Sequence, residues 1–285
     1  MSRRVAVVTD STAYLPAGTA EASGVVVVPL QVVIDGKSLA EGVEVDSSQV
    51  ANALLAGQMV TTSRPSPAEF VEVYRRLQDE GAAAIVSVHL SGEVSGTVDA
   101  ARAAAAQLEE GAPMVEVVDS RSLGMGMGFG VLSAARAAAA DSGAGEVARI
   151  AARRSIEASV YFYVDTLDYL RRGGRINAAQ ARLGSALSVK PLLHLVDGRL
   201  EALDRVRTTE RAVARLVEVT VADCADRPVD VAVHHLAAEA RATDVARRLR
   251  ERVPGLGELL VLEVGAVVGA HVGPGMVAVV ISPVD

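Results

Sequence analysis

The 285-residue sequence contains no tryptophan, and aromatic side chains make up only 3 % of it. Proteins that bind single-stranded nucleic acid by base stacking need aromatic platforms, so this composition argues against that mode of binding. The formal net charge is −7, and no dense run of Lys or Arg occurs. Nucleic acid and anionic membranes are therefore not expected as the main partners.

Cysteine is nearly absent. The single residue Cys224 excludes an intramolecular disulfide framework and any cysteine-based zinc site. The five histidines give little support to another metal site, because the adjacent His234 and His235 lie on a predicted strand and point to opposite faces. We expect neither a bound metal nor a cofactor.

Long apolar runs are also lacking. No stretch approaches the roughly 20 residues that span a bilayer. The N-terminal run Val5 to Val8 ends before Asp10 and is too short for the hydrophobic region of a signal peptide. These patterns predict a soluble cytoplasmic protein without stable membrane insertion.

What the sequence has in quantity is aliphatic residues. Half of the residues are hydrophobic, and the length suggests two domains. Strand and helix patterns alternate up to about residue 155, which predicts a parallel sheet covered on both faces. The second half contains the run Leu192 to Val196, the turn Asp197-Gly198 and the run Leu200 to Val206, which is typical of a β-hairpin.

The predicted fold class is therefore α/β with two domains. Residues 1–155 form a three-layer parallel-sheet domain, and residues 156–285 form an α+β domain with a mixed or antiparallel sheet. Finer expectations include a helix over Leu15 to Ser23, one strand over Val25 to Val33, no strand pairing over Thr61 to Pro67, and a helix over Asn177 to Leu187.

The turn Ser91 to Thr97 lies between a predicted buried strand and an alanine-rich helix. Free N–H groups at the start of a helix favour an anion, and Ser95 and Thr97 add hydroxyl donors. Because the turn contains no Lys or Arg, it suits a carboxylate or a single phosphate. The alternative is an ordinary helix-capping cluster.

Gly124 to Gly130 alternates glycine with Met125, Met127 and Phe129 after a strand. The dinucleotide fingerprint needs a third glycine two residues beyond Gly-x-Gly, and these positions hold Phe129 or Val131. The run instead predicts a helix with a small face packed close to the sheet. Its methionines belong either to an irregular apolar cavity or to plain core.

A serine hydrolase is the rival interpretation. No serine has the Gly-x-Ser-x-Gly spacing of a nucleophile elbow, because Gly92 lies three residues before Ser95. Triads are defined by geometry rather than by sequence position, so an acyl hydrolase that uses Ser95 and His271 stays open.

Two glycine-rich stretches carry further polar candidates. His271 lies in Gly269 to Gly275, which reads as a turn before the last strand, and glycine lets backbone approach a ligand closely. Arg175 follows Gly173-Gly174, and two interpretations stay open for it: an anion clamp, or a partner of the residues that bind the anion. Arg205 and Arg207 fall near the end of a hairpin strand, where they are available to an acidic or phosphorylated partner.

Taken in order, these motifs resemble the DegV family of bacterial fatty-acid-binding proteins over nearly the whole chain. The matching stretches are Val8 to Thr12, Val28-Pro29-Leu30, Thr62 to Ser66, Ser91 to Thr97, Val118-Asp119-Ser120, Gly173 to Ile176, Lys190-Pro191, Asp197-Gly198, Val206-Arg207 and Gly269 to Gly275. The departures are Arg64 in place of the usual Gln, Gly92 in place of a frequent Ser, and Val98 in place of a usual aromatic residue.

The resemblance implies that one long-chain fatty acid of the palmitate, stearate or oleate type is buried in a tunnel between the two domains. It implies that Thr62 and Ser95 hold the carboxylate, with His271 and Arg175 in the same hydrogen-bond network. The neighbouring residues that it implies are Ser63, Ser91, Gly96, Thr97 and Gly273.

The resemblance also implies that the chain has no catalytic residues of its own. Some members of the family present the fatty acid to a separate kinase that forms an acyl phosphate for phospholipid metabolism. Arg207 resembles a position used towards that fatty acid kinase.

Overall fold

The computed structural model describes residues 5–109, 111–176 and 189–284. The chain folds into two compact units, of which unit 1 comprises Met1–Gln31 and Ser63–Glu157 and unit 2 comprises Val32–Thr62 and Ala158–Asp285. The expected division into 1–155 and 156–285 differs from this one in the segment Val32–Thr62. The predicted helix over Asn177 to Leu187 lies outside the described residues.

Unit 1 is built on a four-stranded sheet with the order β2-β1-β6-β7, in which all three pairs of neighbours are parallel. A short 3₁₀ helix, Ser11–Ala13, follows the first strand. The strands are β1 (Val5–Asp10), β2 (Val25–Val28), β6 (Ala84–His89) and β7 (Met114–Asp119), and the helices are α1 (Thr19–Ala22), α3 (Pro67–Asp79), α4 (Thr97–Ala105), α5 (Met125–Ala139) and α6 (Ala144–Ile156).

Helices cover both faces of this sheet, as the alternation of elements predicts. Side chains of α3 and α4, such as Phe70, Tyr74 and Ala101, pack with Val8 and Ile85 on one face. Helices α5 and α6 contact β1, β6 and β7, and because side chains alternate along a strand, the buried alternate residues of these strands face them. The parallel α/β architecture predicted for the N-terminal half is confirmed.

Unit 2 contains a six-stranded mixed sheet with the order β10-β9-β8-β13-β11-β12. Its neighbours are antiparallel except for the parallel pair β11 and β12. The strands are β8 (Ser159–Tyr163), β9 (Lys190–Val196), β10 (Arg199–Val206), β11 (Val229–His235), β12 (Leu256–Glu263) and β13 (Val277–Pro283), and the helices are α7 (Asp168–Arg172), α8 (Thr209–Cys224), α9 (Glu239–Arg252) and α10 (Ala266–Val272).

Helices α8 and α9 pack on one face of this sheet around Leu216, Leu249 and Val279. The hairpin of β9 and β10 turns at Asp197-Gly198 as predicted, with φ of 50° and 81° at these two residues. Positive φ at both central positions is the backbone that Asp-Gly favours, and its twist matches that of the paired strands. The predicted mixed sheet of the C-terminal half is confirmed.

The segment 32–62 adds a three-stranded sheet of order β4-β3-β5 and one helix to unit 2. These elements are β3 (Gln31–Ile34), β4 (Lys37–Ala40), β5 (Val60–Ser63) and α2 (Ser47–Leu55). A capping box of Asp46 and Gln49 starts α2, which packs against α10. This contact places the segment with the C-terminal elements.

Several predicted elements were wrong. The helix expected over Leu15 to Ser23 is limited to α1. The strand expected over Val25 to Val33 is two strands, β2 and β3, because Pro29 and Leu30 separate them. Strand β5 runs into the stretch from Thr61 that was expected to resist pairing, and it ends at Ser63 before Pro65.

Candidate head-group site

Thr62 and His271 are hydrogen-bonded in unit 2. The Thr62 Oγ1 lies on β5, 2.8 Å from the Nε2 of His271 in the last turn of α10. The stretch around His271 was predicted to be a turn, and this is wrong: Ala266–Val272 is helical, and only Gly273 and Gly275, with φ of 74° and 90°, form the turn. Two small residues, Gly269 and Ala270, let this helix pack closely on its neighbours.

The His271 ring is held against the Gly173-Gly174 turn. A Cβ at Gly173 would overlap the Nδ1 of His271, so only glycine leaves room for the ring. Arg175 Nη1 donates to the Gly173 carbonyl at 2.5 Å. The Gly-Gly-Arg motif thus supplies a space for the imidazole and a cation beside it.

Burial and the positive charge of Arg175 lower the pKa of His271 to about 4. Burial also lowers the pKa of Arg175. The imidazole is therefore neutral at pH 7, and no second positive charge sits next to the guanidinium. Thr62 and His271 form an uncharged hydrogen-bonding pair that can donate to an acid oxygen.

Gly273, which the resemblance placed near the head group, ends α10. A Cβ at this residue would overlap the ring of Tyr169 in α7. The nearby Arg171 pairs with Asp168 at 3.1 Å, and the Arg172 guanidinium lies over the Tyr169 ring. These two arginines therefore stabilise the end of α7.

The turn Ser91 to Thr97 lies in unit 1, between β6 and α4. The Ser91 carbonyl accepts from the N–H groups of Val94 and Ser95 at 3.2 and 3.1 Å, which closes the turn tightly. Ser95 Oγ lies 2.9 Å from Thr97 Oγ1, and Ser95 is half-buried. The N-cap of α4 is Gly96, and no side chain caps it, so the alternative of an ordinary capping cluster does not describe this helix start.

A series of buried, hydrogen-bonded side chains fixes the position at which this turn begins. Asp10, at the end of β1, accepts from the Leu90 N–H at 3.0 Å and lies 3.0 Å from His89 Nδ1. His89 Nε2 lies 2.7 Å from Ser87 Oγ, which accepts from the Tyr74 hydroxyl at 2.9 Å. Because Leu90 immediately precedes Ser91, the Asp10 carboxylate fixes the backbone where the turn begins.

Asp10, His89 and Ser87 follow each other in the order of a hydrolytic triad, yet all three are fully buried. Burial raises the pKa of Tyr74, the donor to Ser87, to about 12, so its hydroxyl keeps its proton. The tautomer with the proton on Nδ1 satisfies every group: Tyr74 donates to Ser87, Ser87 to Nε2, and Nδ1 to Asp10. This chain is structural, because a substrate has no access to Ser87.

The contact between Asp10 and His89 was not predicted: Asp10 was noted only within the matching stretch Val8 to Thr12, and His89 was not among the predicted site residues. The order of the strands does contain a signal that these two residues lie close together. Asp10 ends β1 and His89 ends β6, and the register pairs Thr9 with Val88 in neighbouring parallel strands. Residues that follow paired positions at one edge of a parallel sheet lie side by side.

The remaining candidates lie at the surface or in the core. Ser63 and Arg207 are exposed, whereas Cys224 is buried, and burial raises the pKa of its thiol to about 11. His194 stacks on Tyr161.

Within the described ranges, no three His, Cys, Asp or Glu side chains are grouped closely enough to hold a metal ion. No described helix combines the length and hydropathy needed to cross a bilayer.

Two glycines of the run Gly124 to Gly130, Gly128 and Gly130, lie close to the 3₁₀ turn and to helix α6. A Cβ at Gly130 would overlap Ser155 Oγ and the Ala151 carbonyl of α6, and one at Gly128 would overlap the Ala13 carbonyl. Met125 and Met127 are fully buried. The small glycine face predicted for this helix exists, but its closest partners are α6 and the 3₁₀ turn and not the sheet, as was expected.

Residues 4–284 match the family described as "Uncharacterised protein, DegV family". The chain belongs to the DegV family. It is 55 % identical over 283 residues to a DegV domain-containing protein of Streptomyces coelicolor, covering 99 % of both chains. It is 42 % identical over 276 residues to a DegV domain-containing protein of Mycobacterium tuberculosis, covering 96 % of both.

Solved structures support the same family assignment. A Thermus thermophilus DegV family protein described by its fatty acid binding superposes with a TM-score of 0.91 at 33 % identity, over 99 % of this chain and 100 % of that one. DegV of Bacillus subtilis, described as a fatty acid binding protein, gives 0.88 at 32 % identity with the same coverage. The family resemblance seen in the sequence motifs is confirmed.

Proposed function

We propose that this chain binds one long-chain fatty acid of the palmitate, stearate or oleate type and carries out no chemistry on it. The observation that carries the proposal is the hydrogen bond between Thr62 and a neutral, half-buried His271. A buried carboxylate is an acceptor and must be met by donors, or its desolvation cancels the gain from burying the tail. Uncharged hydroxyls and N–H groups meet that need.

The energetics of the tail are favourable. Burying about 16 carbons gains on the order of 12 kcal/mol at ~0.8 kcal/mol per CH₂. Association costs ~4–15 kcal/mol in lost freedom. Burial of the hydrocarbon tail therefore offsets the cost of association only when the carboxylate also has hydrogen-bond donors. Thr62 and Ser95 are the residues proposed to donate to it.

The direct test is the mass spectrum of what copurifies with the protein. We expect a long-chain fatty acid to be released on denaturation, and delipidated protein to take up added palmitate or oleate. Purified protein that releases no fatty acid and takes none up would remove the proposal.

The head-group residues are tested by Thr62→Ala and Ser95→Ala. Each should weaken fatty-acid binding by roughly 1–3 kcal/mol, because each leaves a buried acceptor without a donor. Thr62→Ser, which keeps the hydroxyl, is the matched control and should bind nearly as the parent does. Calorimetric titration with oleate measures all three. Unchanged affinity in both alanine variants would show that the head group is held elsewhere.

We further propose that the loaded protein presents its carboxylate to a separate fatty acid kinase, with Arg207 at the docking surface. Arg207 is exposed just beyond β10, as a contact residue must be. Arg207→Ala should slow acyl-phosphate formation by such a kinase while leaving the affinity for fatty acid unchanged. Equal rates with both proteins would exclude Arg207 from the contact.

A further inference from the structure

Arg64 brings a full positive charge to the turn that carries Ser95. It follows β5 directly and precedes the N-cap of α3, Ser66. Its side chain lies against Gly96: a Cβ built on Gly96 would overlap Nη1 of Arg64 and come close to its Cδ and Cζ. Gly96 has φ of −82°, an ordinary backbone conformation, so glycine is not needed there for the turn itself. The missing side chain leaves the space that the guanidinium occupies.

The Arg64 charge is not neutralised by its surroundings. Arg64 is exposed, and no hydrogen bond or ion pair joins its side chain to another residue in the ranges that the structure describes. Other arginines in the described ranges are ion-paired, as Arg215 is with Asp204 at 2.8 Å and Arg247 with Asp244 at 2.8 Å. Arg64 therefore keeps its five donors and its charge available beside Ser95.

We propose that Arg64 is a specificity-determining residue that favours ionised acid head groups over uncharged ones, an inference that rests on the fatty-acid-binding function proposed above. Hydroxyl donors such as those of Ser95 and Thr62 serve an acid, an alcohol or an ester oxygen alike. A guanidinium attracts the carboxylate selectively, because the attraction depends on the ligand's charge. The turn supplies hydrogen bonds to the oxygen of any of these head groups. Arg64 adds the charge that distinguishes a carboxylate from an uncharged head group.

The experiment compares two ligands that differ only in the head group, dodecanoate and 1-dodecanol. Binding to delipidated protein is measured by calorimetry at pH 8 and low salt, for the parent and for Arg64→Gln. We expect Arg64→Gln to weaken dodecanoate binding about tenfold while the affinity for dodecanol stays the same. Raising the salt concentration should weaken dodecanoate binding to the parent more than to the variant, because salt screens an exposed charge.

Two controls separate selectivity from a general effect. Arg149→Gln removes the same charge from α6, where Arg149 pairs with Glu146 at 3.6 Å, and should change neither affinity. Arg64→Lys keeps the charge and should retain most of the preference for the acid.

Gly96→Ala tests the contact itself. The added Cβ displaces the guanidinium, so this variant should reproduce the loss of dodecanoate affinity. In the Arg64→Gln background it should add little, because the two changes remove one interaction.

Parental dodecanoate affinity in Arg64→Gln, or an equal loss for dodecanoate and dodecanol, would overturn the role of Arg64. If the parent protein itself binds neither dodecanoate nor a longer fatty acid, the proposed function fails, and this outcome is distinct from the first. Thermal unfolding of each variant within about 1 °C of the parent shows that the comparison is made on folded protein.

Discussion

At the scale of single residues, Asp10 is a buried carboxylate with four hydrogen-bonding partners in the N-terminal unit. Its carboxylate accepts from the Leu90 N–H, the Thr12 N–H, the Thr12 hydroxyl and His89 Nδ1. Asp10 is fully buried, so water cannot replace any of these partners. The carboxylate joins the ends of β1 and β6 and so sets the start of the turn that carries Ser95.

Asp10→Asn should lower the free energy of unfolding by on the order of 2–5 kcal/mol, because an amide NH₂ would face donors that need an acceptor. Asp119→Asn is the matched control. Asp119 also accepts from backbone N–H groups, those of Gly92 and Arg121, but it is not fully buried, and we expect a loss of about 1 kcal/mol or less. Urea unfolding measures both, and equal losses would contradict this account of Asp10.

His271 makes stability depend on pH. Its pKa is about 4 in the folded protein, below its ordinary value near 6.5, so the unfolded chain takes up the proton first. Stability should therefore fall as the pH drops from 6.5 towards 4. Burial also lowers the pKa of His234 to about 4, and it contributes in the same window and with the same sign.

His271→Gln removes one of these two groups. Between pH 7 and pH 4.5 the variant should lose roughly 1–3 kcal/mol less stability than the parent. Denaturant unfolding at several pH values measures this difference. An identical dependence of stability on pH in both proteins would mean that folding does not change the pKa of His271.

The sequence indicated Thr62, Ser95, Arg175 and His271 as site residues through family motifs, and the structure joins Thr62 to His271. The helical state of Ala266–Val272 was not predicted, since Gly269 and Gly273-Pro274-Gly275 suggested a turn. Tertiary packing on α2 and α7 outweighs the low helix propensity of glycine here.

At the scale of elements, glycine has opposite roles in the adjacent helices α5 and α6. Gly130 in α5 lies so close to Ser155 and the Ala151 carbonyl that no Cβ fits, whereas Gly145 in α6 faces open space apart from Glu116 at 4.0 Å. The first glycine permits the close approach of the two helices, and the second only adds flexibility to the unfolded chain.

Gly130→Ala should therefore destabilise the protein by about 1–3 kcal/mol through overpacking. Gly145→Ala should stabilise it by up to about 1 kcal/mol, since alanine is the better helix former and meets no neighbour. Thermal unfolding of the two variants shows whether each is more or less stable than the parent. A loss in Gly145→Ala as large as that in Gly130→Ala would show that packing does not distinguish them.

The alternation of strands and helices and the Asp-Gly hairpin were predictable because hydrophobic periodicity and turn chemistry are local. The division of Val25 to Val33 was not. Its valines read as one strand, yet β2 pairs with β1 while β3 joins β4 and β5. Which sheet a strand enters depends on distant partners, and local pattern does not contain that information.

At the scale of the whole molecule, the C-terminal unit is assembled from two stretches of chain. Helix α2 covers α10, and Val50 of α2 lies 3.9 Å from where a Cβ of Gly269 would be. Without residues 32–62, α10 would expose this apolar side to water. The segment is therefore required for the unit that holds His271.

A fragment of residues 158–285 should consequently fail to unfold cooperatively, whereas the same fragment joined to residues 32–62 by a flexible linker should show a sharper transition. Circular dichroism during urea unfolding compares the two. If the shorter fragment unfolds as cooperatively as the fused one, the segment is not part of the C-terminal core.

The divided unit also has a consequence for synthesis on the ribosome. Residues 32–62 emerge early, but α10, on which α2 packs, is translated roughly 200 residues later. At about 5–20 residues per second this delay amounts to roughly 10–40 s. During that interval the nascent segment has no final partner, whereas unit 1 is complete once residue 157 has emerged.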